Sequence, residues 1–141
     1  MKKDLALILA LVCMGLVFAG CAEDAATPKE PAFQETEVEN VSIKISDISP
    51  GGATVVIKDT NAQPYLYGSW YEIEKKDNGS WVEVDTVIED FAFDLLGYMP
   101  DENGEVKFTI DWKWLYGELP SGNYRLVKQA NSQEIFVEFS L

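Results

Sequence analysis

Hydrophobic positions in this chain follow two different rules. From Leu5 to Gly20 they are continuous, with Met1-Lys2-Lys3 in front and Ala22-Glu23-Asp24 behind. From Val41 onward they alternate. Ile43 and Ile45 are separated by Ser42, Lys44 and Ser46. Val106, Phe108, Ile110 and Trp112 face away from Lys107, Thr109 and Asp111, and Ile135, Val137 and Phe139 alternate to the C-terminus. A period of two is that of a strand with one face buried. Turn formers divide these segments at Ser49-Pro50-Gly51-Gly52, Asp77-Asn78-Gly79, Asp101-Glu102-Asn103-Gly104, Leu119-Pro120-Ser121-Gly122 and Asn131-Ser132. The Asn-Gly pair between Trp70–Lys76 and Ser80–Val87 is a strong hairpin signal. Phe91 to Met99 fits either a bulky strand or one helical turn near Asp94-Leu95-Leu96. No segment carries a long 3.6-residue apolar period. The pattern predicts an all-β fold, an antiparallel sandwich of seven or eight short strands.

The continuous run has a separate meaning. At 16 residues it is short of the roughly 20 that span a bilayer comfortably, and with its basic start it suits a signal peptide. It ends in Phe18-Ala19-Gly20-Cys21. Two small residues before a cysteine resemble a bacterial lipobox, although leucine is commoner than phenylalanine at the position of Phe18. The resemblance implies that Cys21 receives a diacylglycerol and becomes the acylated N-terminus of the mature protein. Two or three acyl chains, at about 0.8 kcal/mol per buried CH₂, anchor a protein stably where one is marginal. Residues 1–20 are thus expected to be a lipoprotein signal peptide. Residues 21–40, with Pro28, Pro31 and six acids against Lys29 alone, are expected to be a disordered acidic linker reaching roughly 25 Å. Residues 41–141 are the domain. The expected location is the extracytoplasmic face of the cell membrane, held by lipid on Cys21.

Charge and composition narrow the chemistry. The formal net charge is −13, which opposes phosphate backbones and anionic lipid alike, so no nucleic-acid partner is expected. The two cysteines are Cys13, inside the apolar run, and Cys21, and there is no histidine. The mature domain then has no disulfide, no imidazole acid–base pair, no thiol nucleophile and no Cys/His metal site. Gly51-Gly52 lacks the Lys-Ser/Thr of a phosphate loop. Nothing pairs two carboxylates as a glycosidase needs. The expectation is a non-enzyme with no cofactor. Asp101-Glu102-Asn103-Gly104-Glu105 bunches oxygen ligands but lacks EF-hand spacing, and reads as a polar turn.

Aromatic residues are the remaining signal. Trp112 is on the apolar face of its strand and belongs to the core. Trp114, Tyr116, Tyr65 and Tyr67 fall at strand ends or turns. Two readings stand for them: they plug the ends of the sandwich, or they form a binding surface, for which tyrosine and tryptophan are suited.

Several stretches carry a family resemblance: Tyr65-Leu66-Tyr67-Gly68, Tyr71-Glu72-Ile73-Glu74-Lys75, Gly79-Ser80-Trp81 and, longest, the run from Asp111-Trp112-Lys113-Trp114 through Leu119-Pro120-Ser121-Gly122-Asn123-Tyr124-Arg125. From Val41 to about Ala130 the chain resembles a bacterial immunoglobulin-like domain family common in Gram-positive lipoproteins. The resemblance implies an immunoglobulin-like β-sandwich and brings no functional residues with it. Gly122-x-Tyr124-x-Leu126 looks like a tyrosine corner. Leu126 stands where antibody domains place a cysteine, so apolar packing must replace the disulfide. The expected function is a membrane-anchored, non-catalytic binding or interaction module whose partner is an envelope protein or wall polymer. The alternative is a solute- or divalent-ion-binding accessory using its acidic loops.

Overall fold

A computed structural model describes residues 29–141. The expected signal peptide, Cys21 and the first part of the expected linker lie outside the described residues. Among the described residues no helix is long and apolar enough to cross a membrane.

The strands are β1 (Gln34–Glu35), β2 (Val41–Ser49), β3 (Gly52–Asp59), β4 (Tyr67–Gly68), β5 (Glu72–Asp77), β6 (Ser80–Glu83), β7 (Gly97–Tyr98), β8 (Glu105–Asp111), β9 (Asn123–Ala130) and β10 (Gln133–Ser140), with one helical turn, α1 (Lys113–Tyr116). Seven strands have four or more residues, and the other three are two-residue bridges. They form two four-stranded antiparallel sheets, β1-β2-β3-β8 and β10-β9-β5-β6, and β4 pairs with β7. This is an immunoglobulin-like sandwich.

The alternation read from the sequence is what faces the two sheets toward each other. Ile43, Val55 and Ile57 from one sheet, and Ile73, Leu126, Ile135 and Val137 from the other, are all buried. Asn78 and Gly79 have φ of 47° and 83°. That pair of left-handed residues makes the two-residue turn whose twist matches the β5–β6 hairpin. Asn131 and Ser132, with φ of 48° and 66°, do the same between β9 and β10.

With no disulfide between the sheets, an aromatic stack fills the space. Trp112 is fully buried. It lies nearly parallel to Phe139 at 5.4 Å, and Phe139 lies on Tyr124 at 5.5 Å. Both polar atoms at the ends of this stack are satisfied. Trp112 Nε1 donates to Pro50 O at 2.7 Å, and Tyr124 Oη donates to Pro120 O at 2.7 Å. The second bond is the expected tyrosine corner, at the start of β9.

Three expectations are corrected. Residues 34–40 are not linker. Gln34 pairs with Ile43 and Glu35 with Ser42, and Val38 is buried in the core. Asn40, at φ 59°, reverses the chain so that β1 runs back along β2. The acidic composition hid this, because one buried valine and one turn residue are enough to close an edge. Phe91–Met99 is neither a strand nor a helical turn but irregular, apart from the bridge at Gly97–Tyr98. The helical turn falls instead at Lys113–Tyr116, after Trp112 has left β8.

The stack gives a direct test of what replaces the disulfide. Trp112→Ala is expected to cost about 3–5 kcal/mol of unfolding free energy in urea. Tyr124→Phe, which removes only the hydroxyl, is expected to cost about 1 kcal/mol. Equal losses from the two would show that the corner hydrogen bond, not the stack, holds the sheets.

Candidate functional site

The four aromatic residues singled out by sequence do not meet at one place. Tyr67 is fully buried, and its Oη donates to Asp59 Oδ2 at 2.9 Å. Tyr116 is buried as well, and Ile73 N–H donates to its hydroxyl at 3.4 Å. Burial removes both from any surface and raises both phenol pKa values, that of Tyr116 to about 12. Tyr65 is partly buried, its amide held by Asp59 Oδ2 at 2.8 Å. Of the four, only Trp114 presents a large exposed face, at 43%.

Trp114 has partners that the sequence reading left out. It meets Phe91 at 6.2 Å and Phe93 at 6.0 Å, both edge-to-face, and Phe91 meets Phe93 at 6.0 Å. Phe93 continues inward to Tyr71 at 5.1 Å, and Tyr71 to Tyr116 at 6.3 Å. The result is an aromatic chain from the core to the surface, ending in three rings. Edge-to-face geometry at these spacings is the favourable one for ring quadrupoles.

Phe91 and Phe93 belong to the connection between β6 and β8. Among the described residues, seven of the twelve exposed large apolar side chains lie in it: Val87, Ile88, Phe91, Leu95, Leu96, Tyr98 and Met99. Leu95 is wholly exposed. The chain from Asn78 to Val106 contains no lysine or arginine, while Asp85, Glu89, Asp90, Asp94, Asp101 and Glu102 lie among the apolar residues. Such a concentration of apolar surface on a small domain makes this connection the candidate site.

The connection is tied down at several points. Val84 N–H donates to Ile73 O at 2.9 Å and Val87 N–H to Leu115 O at 2.8 Å. Asp94 Oδ1 accepts from Ser69 Oγ at 2.6 Å and from Leu96 N at 3.1 Å, which fixes the turn that projects Leu95. Near its end, Asp101 Oδ1 accepts from Asn103 N and Glu105 N, each at 2.9 Å. Those backbone donors hold the Asp101 pKa below its ordinary value and make this loop a self-capped turn. Among the described residues no group of three or more acids is placed to hold a metal ion.

One anchor was invisible to the sequence reading. Lys128 is fully buried, and its Nζ donates to Gly68 O and Trp70 O, each at 2.8 Å. The ammonium also stands 3.9 Å from the centre of the Phe108 ring, and Tyr98 meets that ring edge-to-face at 5.5 Å. Gly68 pairs with Gly97, and Tyr67 with Tyr98. The ammonium therefore holds the bridge on which the exposed connection is hung. Burial lowers its pKa to about 8. A signal was available: Tyr124, Leu126, Lys128 and Ala130 share the inward phase of β9, and a lysine in that phase must find acceptors.

A second aromatic group, on the outer face of the other sheet, is already occupied by its neighbours. Arg125 lies 5.0 Å from the Trp81 ring and 4.7 Å from Phe136, and pairs with Glu74. Burial, with Glu83, Glu74 and Glu134 nearby, raises the pKa of Glu72 on that face. This ladder spends its aromatic surface internally, which leaves the β6–β8 connection as the candidate site.

The depressed Lys128 pKa fixes a sign. The folded state releases this proton near pH 8, the unfolded chain near 10.5, so between those values unfolding takes up a proton and stability rises with pH. Wild type is expected to gain roughly 2 kcal/mol relative to Lys128→Met between pH 7.5 and 10. The buried tyrosines titrate in both proteins and cancel in the difference. A difference that stays flat with pH would mean that burial does not disfavour the Lys128 ammonium.

No curated protein and no solved structure matches the chain. The profile of the bacterial Ig-like domain family matches residues 35–140, about three quarters of the sequence. That span agrees with the two sheets and begins within β1, and the chain belongs to the bacterial Ig-like domain family.

Proposed function

We propose that this protein is a lipid-anchored, non-catalytic binding module on the extracytoplasmic face of the cell membrane, and that it holds its partner on the connection between β6 and β8. The observation that carries the binding reading is the concentration of exposed apolar side chains in that connection, backed by the rigid rings of Phe91, Phe93 and Trp114. Rigid aromatic area loses little entropy on binding, and acids around it discriminate among partners by charge. Membership of an Ig-like family supports a non-catalytic module. The anchor rests on the sequence around Cys21, with the chain from Ala22 to Ala32 as the tether. The partner on this reading is an envelope protein or wall polymer.

Anchor and surface are tested separately in intact cells. Cys21→Ala is expected to abolish incorporation of a clickable fatty acid and to release the protein from the membrane fraction. Persistent labelling would overturn the anchor. A photo-reactive amino acid at Leu95 is expected to give a discrete adduct that the same group at Val82, exposed on β6, does not give. Trp114→Ala is expected to abolish that adduct while lowering stability by only about 1 kcal/mol. Identical adducts from both positions, or none from Leu95, would overturn the surface.

A further inference from the structure

The sheet β1-β2-β3-β8 ends on β8, and among the described residues no strand pairs with its outer edge. The phase of the ladder fixes which groups point there. Asp59 N–H donates to Gly104 O at 2.8 Å and Trp112 N–H to Gly51 O at 2.9 Å, and the register between them is unbroken from Gly52↔Asp111 to Lys58↔Glu105. In an antiparallel pair the hydrogen-bonded residues alternate. Val106, Phe108 and Ile110 therefore turn their backbone groups to β3, and Glu105, Lys107, Thr109 and Asp111 turn theirs outward.

The two ends of this outer edge are closed. Glu105 N–H donates to Asp101 Oδ1, and its carbonyl accepts from Asp101 N–H. Asp111 O accepts from Tyr71 Oη at 3.2 Å. Between them, both backbone groups of Lys107 and of Thr109, and the N–H of Asp111, have no protein partner among the described residues. The open length is roughly 14 Å, enough for a strand of about five residues. Along it runs a groove of about 410 Å³, walled by Tyr71, Phe93, Tyr98 and Trp114. Among the residues that line it, Asp111 is the one acid and Lys107 the one base.

We propose that an extended, basic peptide segment of the partner adds to β8 as a further strand, seating an apolar side chain among Tyr71, Phe93, Tyr98 and Trp114. The proposal rests on the binding reading above and specifies its mode. Strand addition draws affinity from backbone hydrogen bonds and specificity from the alternate side chains, one set of which faces the groove. The charge of the connection selects the partner: six acids and no base lie between Val84 and Gly104, so lysine or arginine on the solvent-facing set is favoured and acidic segments are rejected.

The test pans a phage-displayed library of random twelve-residue peptides against the full chain purified in detergent. The selected peptides are expected to be rich in lysine and arginine and free of proline. In wild type they are expected to slow hydrogen exchange at the Lys107 and Thr109 amides at least tenfold, leaving the already bonded amides of Val106, Phe108 and Ile110 unchanged. Thr109→Pro removes an amide that faces solvent, which an edge strand tolerates, and is expected to weaken binding at least tenfold. Should that variant unfold, the exchange pattern in wild type decides alone. Peptides whose binding falls with Trp114→Ala but protects neither amide would overturn strand addition and leave the binding surface standing. Protection of both amides without peptide, in a protein that sediments as a dimer, would assign the edge to a second copy and overturn the proposal. Failure to enrich any peptide over the Trp114→Ala protein would overturn both readings.

Discussion

A lysine ammonium buried without a carboxylate is the constraint on which the exposed half of this molecule depends. Lys128 gives two hydrogen bonds to carbonyls of the chain between β3 and β5, and turns its remaining charge to the face of Phe108. Charge-assisted bonds to carbonyls and a desolvated ring each recover part of the cost of leaving water. A methionine would fill the space but leave the Gly68 and Trp70 carbonyls unpaired, at about 1–3 kcal/mol for each buried group. With Gly68 fixed, Gly97 and Tyr98 have a strand to pair with. Tyr98 can then cover Phe108, and the residues before it stay on the surface instead of collapsing into the open side of the sandwich.

Asp59 does the corresponding work with the opposite charge. Its carboxylate is buried and accepts from Asn61 N at 3.0 Å, Asn61 Nδ2 at 2.8 Å, Tyr65 N at 2.8 Å and Tyr67 Oη at 2.9 Å. Burial works against its ionisation, but the donors outweigh it and hold its pKa below the ordinary carboxylate value. The connection from Asp59 to Tyr71 is thus tied at its start to a buried anion and near its end to a buried cation. Each charge is solvated by dipoles of fixed direction, not by a counter-ion that could swing away. Dipoles held in this way specify one loop conformation, whereas an exposed ion pair such as Lys113–Glu118 specifies little.

The parts of the fold that were legible in the sequence are those where one residue's environment follows from its neighbours. Ile43 and Ile45, or Ile135, Val137 and Phe139, declare a buried face by alternation. Asn78-Gly79 declares a turn because few other pairs accept its dihedrals. Tyr124 was legible because Gly122 and Pro120 precede it at the spacing its hydroxyl needs. What escaped was set by residues distant in the chain. Tyr67 is buried because Asp59 and Tyr65 fold over it, not because of its immediate neighbours. Val38 is core because Asn40 turns β1 back on β2. Phe91 and Phe93 form a surface with Trp114 only because α1 brings position 114 to them. Lys128 lies in the inward phase of β9, but the acceptors that hold it there, Gly68 O and Trp70 O, are 60 and 58 residues away in the chain.

The two solutions to the missing disulfide and the open edge are connected through β8. At the Trp112 end of that strand, the Trp112–Phe139–Tyr124 stack binds the sheets together, with its polar atoms satisfied by Pro50 and Pro120. The sandwich therefore needs no further strand on β8 to hold it closed. The same strand can leave Lys107 and Thr109 unpaired toward solvent. An edge of this kind normally invites indiscriminate pairing. Here the connection before it limits the choice in two ways: its rings narrow the approach, and its unbroken negative charge repels other acidic copies of this protein. Self-repulsion at a net charge of −13 keeps like molecules apart, and the field that excludes them is attractive to a basic strand.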